Sequence, residues 1–378
     1  MLHLLTSAPT YVISLLVLLT IVVFIHELGH FWVARRCGVR VEVFSVGFGP
    51  ELFGRADRFG TRWKFSAIPL GGYVKMFGQG ERVLEPDGRE RDMSVAEKSV
   101  AFHHKPVWQR AAIVFAGPAA NYLLTIVAYT LLFAIIGQPL FPAVVGEVVK
   151  DSAAEAAGIR AGDRILSING QPTKSFDDLV LLVQNSAGQP LSLVIRRGES
   201  ELPITAQPRA VNDSGSGAAH QTYRLGIGQG GELEYERRTL LKAGVGAVSQ
   251  TYHFTIQILV NLWQMLTGER SSQELGGVLR IAKIAGDVAS NSYVGFLFLI
   301  PALSLNLGLL NLFPIPLLDG GHLAFYAVET VRGRPLGERA QEWGLRIGVA
   351  FVFGLVVFAT WNDLVVLKVI DYLKSLVT

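Results

Sequence analysis

Long uncharged apolar stretches alternate with charged segments along this chain, and they predict four membrane-spanning helices. A helix needs about 20 predominantly apolar residues to cross roughly 30 Å of hydrocarbon. The stretches that reach this length are Tyr11–Ala34, Val107–Ile136, Tyr293–Phe313 with a broken continuation to Val331, and Trp343–Ile370. The pattern therefore predicts a polytopic α-helical membrane protein with four transmembrane helices.

Two further regions differ from these spans. Ala243–Leu266 is uncharged but carries polar side chains along its length, so we expect a helix lying in the outer membrane interface. From Ala143 to Gly228 the composition turns soluble, and short β-branched runs separated by glycine turns predict an inserted α+β domain. Within it, Asn212–Gly217 is predicted to be a flexible loop.

We expect seven segments along the chain. They are a first transmembrane helix (1–35), a membrane-associated β-hairpin region on the cytoplasmic side (36–106), a second transmembrane helix (107–138), the inserted domain (142–230), an interfacial amphipathic connector (231–290), a broken third transmembrane helix (291–331) and a fourth transmembrane helix (343–372).

Composition and charge narrow the function and orient the spans. The chain is 50% hydrophobic and 17% charged, and its net charge of +3 is too small to indicate nucleic acid as a partner. The single cysteine, Cys37, excludes an internal disulfide framework and a thiolate metal site. Basic residues concentrate at positions 35–105 and 332–339, which places those segments in the cytoplasm. Both termini and the inserted domain should then lie outside.

The first span contains His26-Glu27-Leu28-Gly29-His30. Residues four apart share a helix face, so both imidazoles can bind one metal ion, with Glu27 beside its open position as a general base. Ionisable side chains within a membrane are costly and therefore indicate a functional site. The alternative is that the motif occurs in this helix by chance, with both histidines making ordinary hydrogen bonds there and no role in function.

The third span supplies a candidate third ligand. Pro314 and Pro316 must break the helix, and broken backbone at membrane depth is tolerated where it lines a cavity. Asp319 follows the break and can reach a metal ion as an anionic oxygen ligand. His322 lies one turn further and is a candidate fourth ligand. We expect it instead to form a hydrogen bond with nearby backbone or a carboxylate. Imidazole and carboxylate ligands favour zinc, although ligand type also admits iron or cobalt.

Two other classes of protein compete with a membrane-embedded hydrolase. One is a catalytically silent membrane adaptor whose outer domain captures protein tails, and it would have no need to bury these four ionisable residues. The other is an ion transporter, which needs a polar pathway that the second and fourth spans do not offer.

Together with Phe44–Pro50, Gly71–Met76 and Ala116–Asn121, these motifs resemble the site-2 protease family of intramembrane zinc metalloproteases, in its bacterial regulator-of-sigma-E branch. The resemblance implies one zinc ion per chain on His26, His30 and Asp319, with Glu27 activating water. It also implies that the protein lies in the bacterial inner membrane and performs regulated intramembrane proteolysis. The substrates would be single-span membrane proteins such as anti-sigma factors, together with remnant signal peptides.

The same resemblance implies substrate-binding positions. Asn311 matches a position associated with holding the substrate, and Pro314 and Pro316 match the helix break. An extended segment containing Gly72, Tyr73 and Val74 could add to an unwound substrate as a strand. An ordinary amphipathic hairpin at the cytoplasmic surface is the alternative for this segment.

The inserted domain resembles a bacterial-type PDZ domain in circularly permuted order, which would be periplasmic. Such domains bind extended chain ends by strand addition. The segment Tyr223–Ile227 would form the binding edge, with Leu225, Gly226 and Ile227 in the peptide groove. A peptide ligand is expected here, together with transmembrane substrates and the lipid bilayer as partners.

Overall fold

The computed structural model describes residues 2–79, 83–84, 90–212, 221–271 and 276–367. Residues 213–217 of the predicted flexible loop and 368–372 of the predicted fourth span lie outside this part of the chain. Two compact units are present. The first comprises residues 1–129, 247–263 and 271–378, and the second comprises residues 130–246 and 264–270.

The described part of the chain holds long and short helices and a 3₁₀ turn at Phe102–His104. They are α1 (Leu2–Arg36), α2 (Val95–Val100), α3 (Val107–Ile135), α4 (Ala153–Ala156), α5 (Phe176–Asn185), α6 (Leu240–Thr267), α7 (Val278–Asn291), α8 (Tyr293–Asn311), α9 (Asp319–Arg332) and α10 (Glu338–Val366).

The strands form one sheet in the first unit, a larger sheet in the second, and short two-stranded pairs. They are β1 (Val41–Ala56), β2 (Arg62–Met76), β3 (Val83–Leu84), β4 (Glu90–Arg91), β5 (Gln138–Leu140), β6 (Val144–Val148), β7 (Arg164–Ile168), β8 (Gln171–Pro172), β9 (Leu191–Arg197), β10 (Ser200–Ala206), β11 (Arg209–Asn212), β12 (Gln221–Arg224), β13 (Ile227–Gly230) and β14 (Glu234–Glu236).

Among the described residues, four helices are long and apolar enough to cross a membrane: α1 from Pro9, α3, α8, and α10 from Arg339. They correspond to the four predicted spans, so the assignment to polytopic helical membrane proteins is confirmed. Although α6 has 28 residues, it is not among them. Its polar side chains lower its apolar character, and its place in the membrane interface stays a prediction.

The third span breaks where the prolines predict. Helix α8 ends at Asn311 and α9 begins at Asp319. Between them Leu317 adopts a φ of 115°, a conformation that side chains other than glycine rarely take. At the start of α9 a Cβ on Gly320 would lie 2.2 Å from the carbonyl oxygen of Phe313, so only glycine lets the two backbones approach this closely.

The sheet of the first unit is a folded hairpin packed on α1. Val46 of β1 pairs with Gly72 and also with Phe65 of β2, so the start of β1 lies between two parts of β2. Phe44 is almost fully buried and stacks on Trp63, with ring centroids 4.3 Å apart. It also meets Phe31 of α1 edge-to-face. This aromatic core holds the sheet beside the helix that carries the histidines.

A half-buried carboxylate makes a second attachment between sheet and helix. Arg35, near the end of α1, donates to the Asp57 carboxylate, and Trp63 Nε1 donates to it at 3.2 Å. The backbone N–H groups of Phe59 and Thr61 donate to the other oxygen. Burial alone would raise the pKa of Asp57, but these hydrogen bonds outweigh it and hold the pKa below its usual range.

The second unit is built on a sheet with strand order β10-β9-β7-β6-β13, to which β8 adds by pairing with β7. Alternate residues of its strands, such as Ile165, Leu193 and Ile195, are fully buried in one apolar core. Helix α5 packs its apolar face onto this core and starts at a capping box formed by Ser175 and Asp178. Strand β13 lies at one edge of the sheet.

Candidate functional site

Helices α1 and α9 bring three side chains of the first unit to one point. Asp319 Oδ2 lies 3.1 Å from His26 Nε2 and 3.4 Å from His30 Nε2, and the two imidazole nitrogens are 3.2 Å apart. Both histidines are buried, with 6% and 8% of their surface exposed. The three residues predicted to share a metal ion are therefore brought together, and they form the group of potential metal ligands found among the described residues.

The separations and the chemistry of these atoms fit zinc. Four ligands at about 2.0–2.1 Å from a tetrahedral ion lie roughly 3.3–3.4 Å from one another, close to the separations found here. Asp319 Oδ2 is buried, and no group among the described residues makes a well-aligned hydrogen bond to it. A buried anionic oxygen facing two imidazole nitrogens without a hydrogen bond is the donor set of a divalent cation.

Glycine lets helix α3 approach this group. A Cβ on Gly117 would lie 2.3 Å from His30 Nε2 and 2.8 Å from His26 Nε2. On the facing helix, a Cβ on Gly29 would lie 2.2 Å from the carbonyl oxygen of Ala116. Sequence reasoning did not assign Gly117 to the site, although the Ala116–Asn121 motif that contains it contributed to the family resemblance.

Helix α3 also orients both imidazole rings from behind. His30 Nδ1 lies 2.8 Å from the carbonyl oxygen of Ile113, and His26 Nδ1 lies 3.2 Å from Nδ2 of Asn121. Because a carbonyl oxygen only accepts, His30 carries its proton on Nδ1 and turns the lone pair of Nε2 towards Asp319. Sequence reasoning missed these two contacts as well, since they join residues that are far apart in the chain.

Glu27 lies next to the edge of the β-sheet. The backbone N–H of Val74 donates a hydrogen bond to its carboxylate. A Cβ on Gly72 would lie 3.3 Å from Cγ of Glu27 and 2.7 Å from the carbonyl oxygen of Ser45. The segment from Gly72 to Val74 therefore passes directly alongside the candidate base, and glycine at position 72 makes that passage possible.

A cavity of about 560 Å³ encloses these groups. Eight residues that were predicted to act in catalysis, metal binding or substrate binding line it: His26, Glu27, His30, Gly72, Tyr73, Val74, Asn311 and Asp319. Pro314 and Pro316 do not line it and instead form the break between α8 and α9. His322 lines the cavity but lies outside the group of three ligands, and Gln79 and His103 are lining residues that sequence reasoning did not find.

The predicted peptide groove of the second unit needs one correction. Leu225 is only 2% exposed and belongs to the apolar core, so its side chain cannot contact a peptide. Gly226 packs against Ser152, and the backbone N–H of Val149 donates to its carbonyl oxygen at 2.8 Å. Ile227 begins β13 at the sheet edge and is half-buried.

Among solved structures, this chain matches the PDZ domain of the SdrC-like protein of Listeria monocytogenes, with 21% identity and a TM-score of 0.20. That match covers 24% of this chain and 87% of the other. A likeness this weak does not establish the fold, so the PDZ architecture stays a prediction.

Relatives that match over nearly the whole chain carry the word metalloprotease in their names. A protein of Rhizobium meliloti named as a zinc metalloprotease is 44% identical over 365 residues, covering 95% of this chain and 96% of the relative. The metalloprotease MmpA of Caulobacter vibrioides is 35% identical, with 97% and 98% covered. The family described as Peptidase family M50 matches residues 14–355. This chain therefore belongs to peptidase family M50 and is a zinc metalloprotease of that family.

Proposed function

We propose that this protein is an intramembrane endopeptidase in which His26, His30 and Asp319 hold one zinc ion and Glu27 is the general base. The observation that carries the proposal is the convergence of two imidazole nitrogens and one carboxylate oxygen within 3.4 Å. They meet inside a cavity that Glu27 also lines, between helices long enough to cross a membrane. A catalytically silent adaptor would leave this arrangement without a use.

The chemistry divides between the ion and the chain. When bound, zinc acts as a Lewis acid that acidifies water and polarises the scissile carbonyl group. Glu27 accepts a proton from the attacking water and passes one to the leaving amine. The Val74 N–H fixes the carboxylate of Glu27 on the side of the cavity formed by the sheet edge. His26, His30 and Asp319 hold their positions through contacts with α3 and with the break before α9.

The edge of β2 is the proposed binding site for the unwound substrate. In an antiparallel pair, backbone groups point alternately towards the partner strand and away from it. Val74 pairs with Phe44, yet its N–H donates to Glu27, so the backbone groups of Val74 point away from β1. By alternation those of Gly72 point the same way. A substrate strand added along this edge would lie beside Glu27 with its carbonyl groups exposed to attack.

Asn311 supports the substrate from the other side of the cavity. It is the last residue of α8, immediately before the break, and its half-buried side chain lines the cavity. An amide offers both donor and acceptor groups, which suits an extended backbone that has lost its own hydrogen bonds. Pro314 and Pro316 prevent the helix from continuing past this position.

The proposed substrates are single-span membrane proteins of the anti-sigma-factor type. Remnant signal peptides are a second proposed substrate class. A cavity among membrane-spanning helices favours a substrate that is itself in the membrane. The proposed compartment is the bacterial inner membrane, with both termini and the inserted domain outside. Arg35 and Arg36 follow His30 by little more than one helical turn, which favours an active site near the cytoplasmic face.

The test of the activity compares wild type with Glu27→Gln in purified full-length protein and with a single-span substrate reconstituted in the same vesicles. We expect the variant to keep one zinc ion per chain and to lose cleavage by at least about 100-fold. Glu342→Gln is the matched control, because Glu342 is exposed and forms an exposed ion pair with Arg346.

Cleavage by Glu27→Gln at the wild-type rate would exclude Glu27 as the base. A wild-type protein that binds zinc and substrate tails but does not cut would instead indicate the adaptor.

The orientation has its own test, because Cys37 is the single cysteine of the chain. In a Cys37→Ser background, Glu199→Cys and Arg334→Cys each place one exposed thiol, in the inserted domain and in the loop before α10. A membrane-impermeant maleimide added to intact spheroplasts should label the first and not the second. Labelling in the reverse pattern would invert the proposed topology.

A further inference from the structure

The second nitrogen of each histidine faces helix α3, but the two partners differ in chemistry. His30 Nδ1 faces the carbonyl oxygen of Ile113, which can only accept. His26 Nδ1 faces the side-chain amide of Asn121, which can donate or accept depending on how the amide is turned. In the arrangement observed, Nδ2 of Asn121 lies 3.2 Å from His26 Nδ1. If Nδ2 donates to His26 Nδ1, that nitrogen is unprotonated, and the proton of the neutral imidazole lies on Nε2, the nitrogen that faces Asp319.

That orientation leaves a buried polar atom without a partner. Asn121 is fully buried, and no group in the described part of the chain donates to its Oδ1. An imidazole that ligates zinc through Nε2 carries its proton on Nδ1 and needs an acceptor behind it. Rotating the Asn121 amide by half a turn places Oδ1 against His26 Nδ1 without changing the shape of the side chain.

From these contacts, and resting on the proposed zinc ligation, we infer that Asn121 is a positioning residue for the metal. Its Oδ1 accepts the Nδ1 proton of His26 in the zinc-bound protein and thereby keeps Nε2 unprotonated and aimed at the ion. Ile113 does the same for His30 through its backbone. Asn121 does not touch the reacting atoms, and its effect is on zinc affinity and on the orientation of the imidazole.

The backbone of Asn121 is held independently of its side chain. The hydroxyl groups of Ser304 and Thr125 both donate to its carbonyl oxygen at 2.9 Å. A Cβ on Gly308 would lie 3.1 Å from Cβ of Asn121, so α8 packs closely over this position. The amide head can therefore be changed while the helix contacts that hold the residue stay in place, which gives the experiment a control.

Three substitutions separate an acceptor from a donor and from simple packing. Asn121→Asp offers only acceptor oxygens, and Asn121→Leu has nearly the same size and no polar atoms. Thr125→Val removes only hydrogen bonds to the backbone carbonyl oxygens of Asn121 and Pro301. We expect zinc affinity, measured by metal analysis of full-length protein equilibrated with graded chelator, to be kept in Asn121→Asp. It should fall about 10- to 100-fold in Asn121→Leu and stay unchanged in Thr125→Val.

Two results would overturn the inference. Zinc affinity that falls in Asn121→Asp would show that the amide acts as a donor, and wild-type affinity in Asn121→Leu would show that Asn121 only fills space. The Asp variant keeps the inference falsifiable even if the Leu variant fails to fold, because a fall in its zinc affinity would contradict the acceptor role. A wild-type protein without zinc affinity would contradict the proposed function, which distinguishes that failure from a failure of the role of Asn121.

Discussion

Gly117 faces the imidazole of His30 so closely that a single added methyl group would lie 2.3 Å from its Nε2. Helices α1 and α3 also approach closely at Gly29, where an added Cβ would lie 2.2 Å from the carbonyl oxygen of Ala116. The space that an ion needs between α1, α3 and α9 therefore depends on the absence of one Cβ.

Gly117→Ala should displace one or both imidazoles and lower zinc affinity by at least about tenfold, while the protein stays folded. Equilibrium metal analysis of the purified protein measures this. Gly354→Ala on α10 is the control, because a Cβ there meets nothing within 4 Å. Full zinc affinity in Gly117→Ala would mean that the helices can separate at little cost.

Asp319→Asn tests the anionic ligand. The amide has the size of the carboxylate but no charge, so two neutral imidazoles remain and zinc affinity should fall by more than about 100-fold, with loss of cleavage. Asp177→Asn, an exposed change at the start of α5, should have no effect on either property. Unchanged zinc binding in Asp319→Asn would remove Asp319 from the ligand set.

Val74→Pro removes the N–H that donates to Glu27 and blocks the same edge for a substrate strand. Loss of even one such hydrogen bond, about 1.5 kcal/mol, corresponds to roughly a tenfold fall in cleavage. Val74→Ala keeps the N–H and serves as the control at the same position. Zinc content should be unchanged in both, so equal cleavage by the two variants would argue against the edge as a binding site.

Asp363 of α10 stabilises the start of α7 across the bundle. It is fully buried and accepts from the backbone N–H groups of Gly277 and Arg280 at 2.9 and 3.0 Å. Asp363→Ala leaves these donors and the Arg280 guanidinium without their acceptor, at a cost of about 3 kcal/mol, so Tm should fall by roughly 6–12 °C.

The exposed pair Glu342 and Arg346 on the same helix gives the comparison for Asp363. Glu342→Ala should change Tm by less than about 3 °C, because exposed ion pairs contribute little. If Asp363→Ala also changed Tm by less than about 3 °C, α7 would not be held by this carboxylate.

Asp163 should make the stability of the second unit depend on pH. Burial favours its neutral form, but Arg197, bonded to both carboxylate oxygens at 2.7 and 2.8 Å, and the Arg160 N–H outweigh burial and lower its pKa. A group whose pKa is lower in the folded state stabilises the fold above its ordinary pKa of about 3.9 and loses that contribution as the pH falls further.

Hydrogen exchange of peptides from 142–230 measures this contribution. Asp163→Asn should exchange faster than wild type at pH 7, and the difference between the two should narrow below about pH 4 as the wild-type carboxylate protonates. Comparing both proteins at each pH removes the effect of pH on the chemistry of exchange. A difference that stays constant from pH 7 to pH 3 would show that the charge of Asp163 does not stabilise this unit.

Much of the candidate site could be predicted from the sequence because it depends on local geometry. A spacing of four residues places His26 and His30 on one face of any helix, and two prolines break any span in which they occur. Asp319 could be added because a carboxylate following a break in a membrane span needs a charged partner. The four apolar spans follow in the same way, since their length and composition alone decide whether they can cross a bilayer.

Only the tertiary structure decided which groups surround those candidate ligands. The contacts of His30 with Ile113 and of His26 with Asn121 join positions 83 and 95 residues apart. The position of Val74 beside Glu27, and the burial of Leu225 in the core of the second unit, likewise depend on how separate elements pack. Periodicity and motifs record which face of an element is apolar, but they do not record which neighbour covers it, because that choice is made by the complementary shapes of segments distant in the chain.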